Sequence, residues 1–128
     1  MTRLLLIILL FLSNSPAYAE WVEIAATDYG MTVYVDSDTI RRKGDLVKMW
    51  SLLDYKTLQT DPGGSYLSTK QQGEYDCAEE RMRFHALTSL SGNMENGTVV
   101  YNLDETKWIP VAPESRGQAL WKFACGEK

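Results

Sequence analysis

Two cysteines, one histidine and a run of carboxylates are the residues of this 128-residue chain whose types suggest chemistry. Cys77 stands in Gly73-Glu74-Tyr75-Asp76-Cys77-Ala78-Glu79-Glu80-Arg81-Met82-Arg83-Phe84. A nucleophilic thiolate needs a histidine or a cationic setting to lower its pKa. Asp76, Glu79 and Glu80 push the other way, and His85, eight residues along, has no evident route to Cys77. Zinc takes four nitrogen or sulfur ligands at short spacing, and the chain offers only Cys77, Cys125 and His85. The carboxylates lack the glycine-turned loop that would hold calcium. Gly63-Gly64 lacks the lysine and helix of a phosphate loop. Spacing alone assigns no carboxylate pair for glycoside hydrolysis. No catalytic residue, metal ligand or cofactor follows, and the chain reads as a non-enzyme. The acidic run reads as a solvated turn, with Arg81 and Arg83 as cross-strand partners. His85 reads as a solvent-facing strand residue on the face opposite Phe84.

A structural role remains for the sulfurs, and the start of the chain supports it. Arg3 precedes nine apolar residues, Leu4 to Leu12, and then a small-residue tail ending Ala17-Tyr18-Ala19. That order is the pattern of a secretory signal peptide over residues 1–19. The apolar run covers about half a hydrocarbon core, too little for an anchor, so no membrane anchor is expected after cleavage. The chain is expected in the periplasm, secreted or at the cell surface. An even cysteine count in an oxidising compartment implies a Cys77–Cys125 bridge. Removing the first 19 residues leaves residues 20–128 with twelve basic and 17 acidic side chains, a net charge of −5. Such a balance leaves no footprint for nucleic acid. The one basic cluster, Arg41-Arg42-Lys43, reads as a solvated turn.

The elements that must position these residues are short strands followed by one helix. Trp21–Ala26 alternates weakly, and Met31–Asp36 alternates with β-branched and aromatic residues. Ser37–Ile40 suggests a short helical turn capped by Ser37 or Asp38. Asp45–Tyr55 is apolar on both faces, as a central strand would be. Asp61-Pro62-Gly63-Gly64 marks a turn inside a loop expected over residues 56–65. Further strands are expected over residues 66–77, 81–88 and 98–103, after which Trp108–Val111 leads out of the sheet. Ser115 and Gln118 fit a capping box. Leu120, Phe123 and Ala124 then share one helical face, with Trp121 and Cys125 on the next and Gly126 as the stop. A helix this short needs packing to persist, and a bridge from Cys125 to Cys77 would supply the pin. The fold class is therefore α+β.

An ordered set of segments resembles the surface-adhesin protein E family of small exported bacterial domains. They are Val33–Asp36 with Thr39-Ile40, Val47–Tyr55, Ser68-Thr69-Lys70, Glu74–Cys77, Gly97, Trp108–Ser115 and the late Cys125. The resemblance implies one antiparallel sheet of about six strands over residues 20–128, with the C-terminal helix held on its concave face by the disulfide. It also implies dimerisation, and binding of host matrix proteins such as vitronectin and laminin by the adhesin that names the family. The chain departs from that adhesin in lacking a lipidation cysteine. It also carries Gly63-Gly64-Ser65 where the adhesin is basic before the residue matching Tyr66. The expected function is a non-enzymatic binding module with a protein partner. Its contacts are expected around Tyr55, Tyr66, Lys70 and Tyr75, since tyrosines at strand ends suit interfaces. The alternatives are a self-associating envelope subunit and a small-ligand carrier with a cavity between helix and sheet.

Overall fold

Along the first six strands of this chain, each leads into the neighbour it pairs with. The structure is a computed structural model that describes residues 20–126; the expected signal segment, residues 1–19, lies outside them. In chain order the elements are β1 (Trp21–Ala26), β2 (Met31–Lys43), β3 (Leu46–Asp61), β4 (Gly64–Asp76), β5 (Arg81–Leu90), β6 (Val99–Leu103), β7 (Ile109–Pro110) and α1 (Arg116–Cys125). β1 to β6 lie side by side in that order, every pair antiparallel, and β7 pairs with the free end of β5. The architecture is the single antiparallel sheet with one terminal helix that the sequence and the family resemblance imply.

Strand periodicity sorts the side chains onto two faces. Met31, Val33 and Val35 of β2, Val47, Met49, Leu53 and Tyr55 of β3, Tyr75 of β4 and Met82 of β5 form one buried cluster with Leu120, Trp121 and Ala124 of α1. Gly73 has a packing reason: a Cβ there would fall within 2.4–2.8 Å of the Tyr75 ring and hydroxyl. Tyr75 therefore folds across its own strand, filling the space beneath α1. The helix starts as expected, with Ser115 Oγ accepting from Gln118 N at 3.1 Å, and stops at Gly126 in the left-handed region. The Gln118 amide oxygen, however, accepts from Glu114 N at 2.9 Å, one residue before the cap, so the box is only half formed. Phe123 is not in the packed face; it is 36% exposed while Trp121 is 4% exposed. Leu120, Trp121 and Ala124 point at the sheet, which puts Phe123 at the rim.

Three expected segments differ. Ser37–Ile40 is not a helical turn, because β2 continues through it with a bulge between Asp36 and Arg41. Side chains replace the lost ladder bonds there. Thr39 Oγ1 donates to Asp36 O at 2.6 Å and accepts from Trp50 N at 3.1 Å, and Asp38 N donates to Asp36 Oδ1 at 3.2 Å. Residues 56–65 are not a loop: β3 runs to Asp61 and β4 begins at Gly64, with only Pro62-Gly63 turning. Trp108–Val111 does not leave the sheet, since Ile109 and Pro110 pair with Met82 and Arg81.

The face away from α1 is covered by the segment joining β5 to β6. Asp54 Oδ1 accepts from Met94 N at 2.8 Å and Asn93 Nδ2 at 3.1 Å. Ser68 Oγ donates to Gly92 O at 2.6 Å and accepts from Glu95 N at 3.1 Å. Met94 and Glu95 both lie at positive φ, 53° and 57°. That conformation costs roughly 1–2 kcal/mol per non-glycine residue, and this dense set of bonds offsets it.

Candidate functional site

The structure separates the four residues expected to share a contact surface. Tyr55 and Tyr66 come together on the α1 side of the sheet, edge to face with ring centroids 5.8 Å apart. Lys70 lies on the other face, paired with Glu95 at 3.3 Å and 5.2 Å from the Trp50 ring centroid. Trp21 Nε1 donates to the same glutamate at 2.9 Å. Tyr75 is not a surface residue: it is wholly buried under the helix. The neighbouring charges Glu74 and Asp76 make its strand look wet, but alternation sends them to the opposite face. Cys77 and Cys125 are joined, with Cα atoms 5.6 Å apart, so both sulfurs are consumed in the tether.

Around Tyr55 and Tyr66 the backbone builds a groove. A register shift in β3 between Asp54 and Gln59 redirects the β3–β4 hairpin. Its tip lies against β6 so closely that a Cβ at Gly63 would sit 2.0 Å from Val100 O. The segment expected as a loop is thus an ordered arm that walls one side. The other side is the first turn of α1, with Arg116. Two small cavities of about 230 and 210 Å³ open here, and Gln71, Phe84 and Arg116 line both. Leu53, Tyr66, Leu87, Tyr101 and Leu103 make the larger one apolar, and Met82, Ile109 and Leu120 the smaller. Thr69 and Ser89, which line the larger cavity, satisfy each other at 3.3 Å. Burial raises the Tyr55 phenol pKa, and the positive charge of Arg116 works against it.

The acidic stretch around Cys77 has a structural use. Glu74 and Asp76 are each 5% exposed. Glu74 Oε1 accepts from Arg83 Nε at 2.7 Å and lies 3.0 Å from His85 Nε2. Asp76 pairs with Arg81 Nε at 2.9 Å and accepts from Ala78 N and Glu79 N at 3.1 and 3.3 Å. Arg81 and Arg83 in turn stack on Trp108, 4.5 and 4.6 Å from the ring centroid. The expected solvated turn is therefore only its tip, Glu79-Glu80. His85 is on the face opposite Phe84 as expected, but turned in against Glu74 with its side chain 20% exposed.

Burial acts to raise both carboxyls. For Glu74 the bonds from His85 and Arg83 outweigh it. For Asp76 the Arg81 bond and two backbone N–H groups do so. Both end below the ordinary carboxylate range. Groups depressed in the folded state contribute stability that is present above the unfolded pKa and lost as pH falls through the folded one. The melting temperature should therefore hold from pH 7 to about 5 and decline below about 4. In Glu74→Gln/Asp76→Asn the decline should flatten and the neutral-pH value should drop. A thermal scan series across pH 3–7 reads both effects.

The sequence reading missed Gln71, Phe84, Tyr101 and Arg116 as groove residues. Two signals were present. Counting back by twos from Tyr75 places Gly73, Gln71 and Thr69 on the helix face. Arg116 sits at the first position of α1, whose first turn has no acidic residue. A cation there opposes the helix dipole, a local cost that points to a use.

Comparison with known proteins agrees with the architecture. A family model described as surface-adhesin protein E matches residues 21–126. No curated protein matches the chain. Among solved structures, crystal form II of Haemophilus influenzae protein E is 11% identical with a TM-score of 0.63, covering 87% of this chain and 91% of that one. Its selenomethionine form is 11% identical at a TM-score of 0.62, covering 87% and 89%. Protein E from non-typeable Haemophilus influenzae is 11% identical at 0.55, covering 88% and 79%. At that identity the likeness speaks to the fold, and the family match speaks to kinship. With the match spanning nearly all the described residues, the chain belongs to the surface-adhesin protein E family of surface-exposed bacterial binding proteins.

Proposed function

We propose that this chain is an exported, non-enzymatic module that captures a protein partner in the groove between the β3–β4 arm and the start of α1. The observation that carries this reading is the groove itself. It is largely apolar and aromatic, with Tyr55 and Tyr66 locked edge to face, and Arg116 and Gln71 are among its polar lining. Interfaces draw their energy from such rigid aromatic anchors beside a few polar groups. Membership of an adhesin family supports binding over catalysis. The signal-peptide pattern of residues 1–19 supports delivery to the periplasm or cell surface. A host matrix protein is one partner of this kind; the resemblance suggests it, and the absence of a basic pair before Tyr66 weighs against carrying it over.

The test is capture from envelope extract, and from a panel of matrix proteins, by the oxidised domain and by Tyr66→Ala. A partner retained by the native chain and lost with Tyr66→Ala supports the groove. Equal retention by both moves the contact elsewhere. The outer edges of β1 and β6 pair with no other described strand, which favours self-association as a second reading. A concentration-independent dimer on size exclusion that captures nothing would favour the structural-subunit role instead.

A further inference from the structure

We infer that the groove is a receptor for a chain end: the α-carboxylate of a peptide whose last residues are apolar. This rests on the groove being the contact surface and adds what it recognises. Three observations converge on the floor shared by the two cavities.

The first is uncompensated positive charge. Arg116 lines both cavities and makes no ion pair among the described residues; its one side-chain hydrogen bond among them is Nη1 to Met31 Sδ at 3.8 Å. The positive end of α1 adds to it, because the capping bonds engage Gln118 N and Ala119 N and leave the N–H groups of Arg116 and Gly117 for an outside acceptor. The second is an idle donor. Gln71 is only 2% exposed. Its side-chain amide makes no hydrogen bond among the described residues and is not sealed in the core; it opens onto both cavities. A carboxylate placed there would accept from both the amide and the guanidinium, whose fork matches its two oxygens.

The third is size. A pocket for a whole small molecule measures about 300–1,000 Å³. The cavities here are about 230 and 210 Å³, two side-chain-sized spaces on either side of one polar floor. An extended peptide end fits that shape, with a terminal apolar side chain in one space, its neighbour's in the other, and the carboxylate between them. Asp61 lines only the larger cavity and its Oδ1 is engaged by Gly63 N at 2.9 Å, so the acceptor end of a ligand is driven toward Arg116.

Isothermal titration of the oxidised domain tests this. The probes are acetylated dipeptides ending in phenylalanine, leucine, tyrosine or isoleucine, each as free acid and as amide. At least one free acid should bind, with its amide weaker by about tenfold or more. Arg116→Ala should bring the acid down to the level of the amide and leave the amide unchanged. Gln71→Leu removes an amide that makes no hydrogen bond among the described residues, so it should fold and show a smaller loss of the same kind. If acid and amide bind equally, and Phe84→Ala weakens both, the groove remains a binding site and the carboxylate assignment is wrong. If no probe of either kind binds, the assignment also falls, while the capture experiment with Tyr66→Ala still decides the broader reading.

Discussion

Trp121→Ala should lower the free energy of unfolding by about 3–5 kcal/mol, read as a fall in the urea midpoint with little change in slope. The indole is 4% exposed and sits in the central cluster. Its Nε1 donates to Asp76 O at 2.8 Å, a fully buried bond. Alanine therefore leaves both a cavity and a carbonyl stripped of its donor. Trp121→Phe separates the two contributions. It restores much of the volume and should recover most of the loss, leaving about 1–3 kcal/mol for the unmet carbonyl. A change under about 1 kcal/mol for alanine would mean that α1 is not seated on the sheet as described. For a domain whose total stability is of the order of 5–15 kcal/mol, the predicted loss leaves the remainder thin.

Loss of the Cys77–Cys125 bond, by reduction or by Cys77→Ser/Cys125→Ser, should cost about 4 kcal/mol. The loop it closes spans 48 positions, and its removal releases that much unfolded-chain freedom in the loop-closure account. The consequence is also local. α1 has ten residues, too short to persist alone. Cys77 is itself fixed, its N–H donating to Asp45 O at 2.8 Å in the β2–β3 turn. Without the tether α1 should exchange amide hydrogens early, while the β2–β4 amides stay protected. Identical midpoints for the oxidised and reduced protein would overturn this. The two losses should combine to less than their sum, because Trp121 and Cys125 lie one turn apart and their partners Asp76 and Cys77 are adjacent.

The periodic parts of the fold were legible. Trp21–Ala26, Met31–Asp36 and the apolar strand beginning near Leu46 follow from alternation, and α1 follows from Ser115, its apolar residues and Gly126. The bridge followed from two cysteines in a chain whose first residues read as an export signal. What stayed hidden depends on partners distant in sequence. Ser37–Ile40 is polar enough to read as a turn, yet Thr39 meets Trp50 across a bulge. Tyr75 looked exposed because Glu74 and Asp76 flank it, and those charges become buriable through Arg81, Arg83 and His85, two backbone N–H groups and the Trp108 ring over the arginines. The groove was least legible. Tyr55 and Tyr66 could be nominated by type, but Gln71 and Arg116 meet only when the hairpin arm and the helix start are both in place.

The strand order carries a consequence for how quickly the molecule assembles. Because β1 to β6 pair with one another strictly in chain order, each of these pairings is a hairpin whose ends start close together along the chain. Sheets that interleave distant strands must first close long loops, and speed falls as the mean separation of contacting residues grows. This sheet can zip from any turn outward, leaving the docking of α1 and the return of β7 to β5 as the long-range events. Refolding after dilution from urea with the bridge intact should therefore be rapid for an all-antiparallel sheet. The emerging chain would then spend little time with unpaired edges exposed to its neighbours.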